Sequence, residues 1–104
     1  MNTISYKEAP IMQNHHGVDA RILYKDDKIQ VLQITLKPGE YIEKHSMPLN
    51  AIFYILGGKG IVEIGNEEQE VSQDILIYSP SELERGWRNT GDIPLRILVT
   101  KILN

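Results

Sequence analysis

No segment of this chain carries ten residues of helical period; its apolar residues come in short runs or in alternation, with turns between them. Ile29 to Leu36 sets the pattern. Val31, Gln33 and Thr35 alternate there with Leu32, Ile34 and Leu36, the period-2 mark of a half-buried strand. Ala20 to Tyr24, Tyr41 to His45, Ala51 to Leu56, Ile61 to Ile64 and Glu67 to Val71 read as further strands. So do Ile75 to Tyr78, Gly86 to Asn89 and Leu95 to Leu103, with Ile4-Ser5-Tyr6 as a short edge strand and Ser81 to Arg85 as a loop. Ala51 to Leu56 is almost wholly apolar and belongs at the centre of a sheet. Gly65-Asn66 is a two-residue hairpin signal. About nine or ten short strands with turns this close predict an all-β sandwich or barrel.

The chain has 104 residues, enough for one domain with its own core. It has no cysteine, which excludes disulfides, thiolate metal sites and cysteine nucleophiles. Its net charge is -3, with both signs interspersed and no basic stripe, so no nucleic-acid partner is expected. Glu67-Glu68-Gln69-Glu70 reads as a solvated face. No apolar run approaches the ~20 residues of a membrane span. Met1 to Lys7 lacks the apolar stretch of a signal peptide. A cytoplasmic protein without a membrane partner is expected. There is no G-x-S-x-G, phosphate loop or H-E-x-x-H motif.

Two stretches carry a family resemblance. Gly39, then His45 after five residues, then Pro48 and the apolar run ending in Gly60, resembles the first conserved motif of the cupins. Asp74 to Pro80, followed by Arg85-Gly86-Trp87-Arg88-Asn89-Thr90-Gly91-Asp92 and Pro94-Leu95-Arg96, resembles the second. The resemblance implies a double-stranded β-helix, or jelly-roll barrel, in a small single-domain protein that is usually a homodimer. It divides residues 1-104 into a barrel at 20-104 and an N-terminal segment at 1-19. That segment would cap the barrel or cross to a partner.

Cupins typically hold a divalent metal through two histidines and a glutamate of the first motif and a histidine of the second. Position by position, the first histidine is His45, the second falls on Met47, the glutamate on Ala51 beside Asn50, and the last histidine on Arg85. The second motif's later glycine falls near Glu82. Met47 is a soft ligand suited to Cu(I), Ala51 donates nothing, and Arg85 is a fixed cation that repels a divalent metal. No cofactor is therefore expected; the alternative is one divalent transition metal, with His45 as its matched donor.

Each residue keeps a plain structural reading as well. His45 is either a barrel histidine held by a hydrogen bond, a ligand contact or a metal ligand. Met47 is core filler or a pocket residue. Arg85 is a surface arginine, or it points into the barrel mouth and takes a carboxylate or phosphate bidentately. Trp87 is core, with a second role lining the pocket. Tyr78, ending a strand just before the motif loop, and Asn50 complete the expected ligand-binding set of His45, Met47, Asn50, Tyr78, Arg85 and Trp87. Adjacent His15 and His16 would face opposite ways on a strand, so both could not serve one site. Glu43 and His45, two apart, form a conceivable acid/base pair. The reading is a cupin barrel that binds a small, anionic molecule without a conventional metal centre. Its rivals are a metal-dependent isomerase or dioxygenase with atypical ligands, and a ligand-free structural dimer module.

Overall fold

The computed structural model describes residues 1–104. Nine strands form two antiparallel sheets. The strands are β1 (Asp19–Lys25), β2 (Ile29–Leu36), β3 (Tyr41–Ser46), β4 (Asn50–Gly57), β5 (Lys59–Ile64), β6 (Glu67–Ser72), β7 (Leu76–Ser79), β8 (Glu84–Arg88) and β9 (Leu95–Ile102). One sheet has the order β1-β2-β9-β4-β7 and the other β3-β8-β5-β6. The chain crosses repeatedly between the two sheets, which makes the jelly-roll barrel that the cupin resemblance implies. No helix is long and apolar enough to cross a membrane.

The alternation along each strand builds the core. Leu95, Ile97 and Val99 of β9 face inward, as do Ala51, Phe53 and Ile55 of β4. Their register places Leu32, Val99, Phe53 and Ile77 in one row and Ile34, Ile97 and Ile55 in the next. The facing sheet contributes Ile42, Trp87 and Val62. Phe53 and Trp87 meet between the sheets, edge to face, with ring centroids 5.2 Å apart. Each large side chain buried in this way contributes about 1.5–3 kcal/mol. Gly65-Asn66 forms the two-residue turn its sequence predicts, closing β5 on β6 at the pair Ile64 and Glu67.

The N-terminal segment departs from expectation. Ile4-Ser5-Tyr6 pairs with nothing, because the Ser5 carbonyl accepts the Glu8 and Ala9 N–H groups and winds Tyr6–Glu8 into a 3₁₀ turn. The Tyr6 hydroxyl bonds the Asp19 carboxylate and lies 3.1 Å from Thr35 Oγ1. Residues 10–12 supply the edge pairing instead: Met12 N–H donates to the Ala20 carbonyl and Ile22 N–H to that of Pro10. The chain then turns back at 14–17 across one end of the barrel. Glu84 and Arg85, expected in a loop, open β8.

Two turn residues sit in the left-handed region without being glycine: Asp74 at φ 69° and Glu82 at φ 75°. Glu82 stands near the place where the second cupin motif has a glycine. Its side chain is exposed, so only its backbone is at stake. A left-handed residue with a Cβ costs roughly 1–2 kcal/mol, and glycine returns part of that gain as unfolded-state entropy. Glu82→Gly is therefore expected to stabilise the fold by about 0.5–1 kcal/mol. A urea midpoint that fails to rise would show that the turn is unstrained.

Candidate functional site

The inner face of the five-stranded sheet changes character at one end. Strand register aligns Lys25, Gln30, Lys101, Ala51 and Ser79 in a single row from β1 to β7. The row below it is the apolar Leu32–Val99–Phe53–Ile77. Across the barrel, on the other sheet, His45 of β3 pairs with Arg85 of β8. Lys101 and Ala51 of this row, with His45 and Arg85, line a cavity of about 310 Å³. Leu32, Ile42, Phe53, Trp87 and Val99 form much of its wall. Met12, His15 and His16 of the N-terminal segment line it too, with His45 and Met47.

Arg85 is 4% exposed. Its Nε donates to Ser79 Oγ at 2.6 Å, and its Nη2 donates to the carbonyls of Leu49, Ser79 and Pro80. Those acceptors come from the corner between β3 and β4 and the end of β7, so Arg85 clamps two crossings of the barrel together. Glu82 N–H to the Met47 carbonyl, 3.1 Å, and Ser81 N–H to Asn50 Oδ1, 2.8 Å, tie the same corners. Nη1 has no partner in the chain; since no buried polar side-chain atom lacks one, Nη1 opens onto accessible space. Burial works against the Arg85 charge and lowers its pKa, with no carboxylate bonded to it.

Lys101 projects from the inward phase of β9, after Leu95, Ile97 and Val99, and directly opposite Ala51. The small alanine leaves room for the lysine stem. Lys101 is half-buried, and its pKa is lowered, first by loss of water and then by the neighbouring charges of Arg85 and Lys25. None of the cavity's lining residues is an aspartate or glutamate.

The three histidines gather at the mouth. The His15 and His16 ring centroids lie 4.0 Å apart, and those of His16 and His45 5.0 Å. His45 Nδ1 is 3.0 Å from the Glu43 carbonyl oxygen, leaving Nε2 free. The His16 pKa is lowered, first by burial and then by the charges of His15 and His45, against the opposing pull of Glu43.

Of the residues expected at the site, the structure brings together His45, Met47, Arg85 and Trp87. Trp87 is 3% exposed and serves core and pocket together. Asn50 and Tyr78 lie outside. Asn50 turns its amide to the Ser81 backbone, and Tyr78 alternates to the outer face, 53% exposed. Arg85 is no surface arginine, but neither does it offer a free fork, because Nε and Nη2 are spent on the protein. His15 and His16 both line the cavity, since they lie on a turn, where the strand rule of opposite faces does not hold. Glu43 is exposed and touches His45 through its carbonyl, so the pair does not form as an acid/base couple. Sequence reading missed Met12 and Lys101. Lys101 did leave a signal, for it breaks the apolar alternation of its strand in the inward phase.

The donor set does not fit a conventional cupin metal. No group of three or more histidine, aspartate or glutamate side chains converges in a way that could hold an ion. The second-motif ligand position carries the Arg85 cation, which opposes a divalent metal there.

Among known proteins, the chain is 40% identical over 47 residues to the uncharacterized protein MJ1618 of Methanocaldococcus jannaschii, a match covering 45% of this chain and 38% of that one. Its fold resembles that of a predicted oxalate decarboxylase from Thermotoga maritima, with a TM-score of 0.88 and 21% identity over 99% of this chain and 100% of that one. It also resembles the polyketide cyclase RemF from Streptomyces resistomycificus, at a TM-score of 0.86 and 16% identity, covering 100% and 80% of the two chains. The cupin domain matches residues 32–101, from Leu32 in β2 to Lys101 in β9, and the chain belongs to that family.

Proposed function

We propose that this cupin binds a small carboxylate-bearing molecule in its barrel, with protein cations standing where relatives place a metal. The observation that carries the reading is the composition of the cavity. Arg85 and Lys101 line it and no carboxylate does. A desolvated cation without a counter-ion is costly, and an anionic ligand would supply one. Arg85 Nη1 and Lys101 Nζ are the donors left for it, so the contact is one nitrogen from each residue rather than an arginine fork. The apolar wall suits a ligand with a carbon body. At about 310 Å³ the cavity stands near the lower end for ligand sites and suits a small one. The fold does not select a reaction, so the reading rests on the site alone.

A thermal-shift screen with acetate, pyruvate, benzoate and sugar phosphates tests this. Carboxylates are expected to raise the melting temperature of the wild type, and Lys101→Met to remove most of that shift. If no anion raises it, the reading fails. It also fails if the protein, exposed to iron, manganese, zinc, nickel and copper salts, retains one tightly held metal per chain by elemental analysis.

A further inference from the structure

Lys101 has a position that anion binding alone does not require. It lies beside apolar Val99 and Ala51, with Arg85 and Lys25 as its nearest charges. The chain's ion pairs, Arg21 with Asp19 and Arg88 with Glu63 and Glu68, lie elsewhere. The Lys101 side chain makes no hydrogen bond within the chain, and Lys101 lines the cavity together with His15 and His16 of the N-terminal turn. A lysine becomes a nucleophile when its amine is held in an apolar pocket or beside another cation. Both conditions meet here, and each pushes the amine toward its neutral form. The other lysines are exposed.

We infer that Lys101 is a carbonyl-reactive amine that forms an imine with a small 2-oxo acid bound in the barrel, a site that rests on the anion-binding reading above. Arg85 Nη1 takes the carboxylate, leaving the carbonyl carbon at C2 for Lys101. The neutral amine lone pair attacks C2 and forms the C–N bond, while the carbonyl π pair moves to oxygen and is protonated by water. Nitrogen then loses a proton to give the carbinolamine. Protonation of the hydroxyl and its departure as water leave the C=N bond. Amine and oxo acid thus give imine and one water, with no net oxidation or reduction. Ala51 makes the site possible, because a longer side chain there would fill the space beside the amine.

The test incubates the full chain with pyruvate and sodium cyanoborohydride, which reduces an imine to a stable N-(1-carboxyethyl)lysine. Intact mass and peptide mapping then locate the adduct. The expected result is one adduct per chain, on Lys101, formed at least ten-fold faster than on any exposed lysine. Lys101→Arg, which keeps a cation but no reactive amine, is expected to form no selective adduct. Lactate, which has the carboxylate but no carbonyl, separates the two readings. If pyruvate and lactate both raise the melting temperature and Lys101 is not selectively labelled, the imine is overturned and anion binding stands. If neither raises it and no selective adduct forms, both fall. Labelling spread evenly over the lysines also overturns the imine.

Discussion

Arg85→Ala is expected to lower the unfolding free energy by about 3 kcal/mol, since each buried acceptor left unpaired costs roughly 1–3 kcal/mol. In a domain of this size that corresponds to a fall in melting temperature of roughly 10 °C or more. The reason is geometric. Nε and Nη2 hold Ser79 Oγ and the carbonyls of Leu49, Ser79 and Pro80. Truncation strands those acceptors, among them Ser79, which is fully buried. It also frees the crossing between β3 and β4 from the end of β7. Arg85→Lys recovers little, because an ammonium on a flexible stem cannot reproduce the planar set of donors. Ser79→Ala removes the Nε acceptor alone and is expected to cost about 1 kcal/mol. Urea denaturation of the three variants checks the order. If Arg85→Ala cost less than Ser79→Ala, the clamp would be refuted. Because this variant alters folding together with the proposed ligand contact, Lys101 rather than Arg85 is the cleaner probe of the proposed binding. Lys101→Met removes a charge that burial disfavours, and is expected to fold at least as stably as the wild type.

Gly58→Ala is the second large effect, at roughly 4 kcal/mol, the range in which single substitutions are exceptional. Two costs combine. Gly58 has φ +82°, and a Cβ there would lie 2.9 Å from Leu95 Cα and closer still to the Pro94 carbonyl oxygen. Both neighbours are backbone, and Leu95 is fully buried, so neither can retreat. Gly39 separates the two costs. It has φ +85° with nothing within 4 Å of the added carbon, so Gly39→Ala carries the conformational part alone, about 1 kcal/mol. Equilibrium unfolding of both variants reads the difference directly. Equal losses would show that Gly58 is constrained by its dihedral angle and not by Pro94 and Leu95.

The strands were legible because their signals are local. Ile29 to Leu36 is a strand over the residues its alternation indicates, and Gly65-Asn66 makes the turn that two residues of that kind favour. The turn at Pro38-Gly39 stands where the first motif sets it, and of Gly57 to Gly60 only Gly58 lies outside the strands, between β4 and β5. The site was half legible. His45 and Arg85 carry motif positions, so their place on the barrel could be read. What Arg85 does could not, because its acceptors are backbone carbonyls 5 and 36 residues away. Tyr78 and Asn50 were misplaced for a related reason: residues near a strand's ends can face either way until the register of its neighbours is known. The N-terminal turn gave no periodic signal.

The sequence alone determined the all-β class, the run of strands and turns, the cupin resemblance and the loss of the usual metal-ligand residues. These rest on period, turn chemistry and residue type, each expressed within a few residues. Only the tertiary structure decided that His15, His16 and His45 gather at one mouth, that Arg85 spends two of its nitrogens on the protein, and that Lys101 faces Ala51 inside the barrel. Those juxtapositions arise from strand register and from how the sheets close, both set by the packing of the whole core. The stretch from Gly39 to Gly60 supplies the frame and His45, while Arg85 and Lys101 come to the cavity from far along the chain.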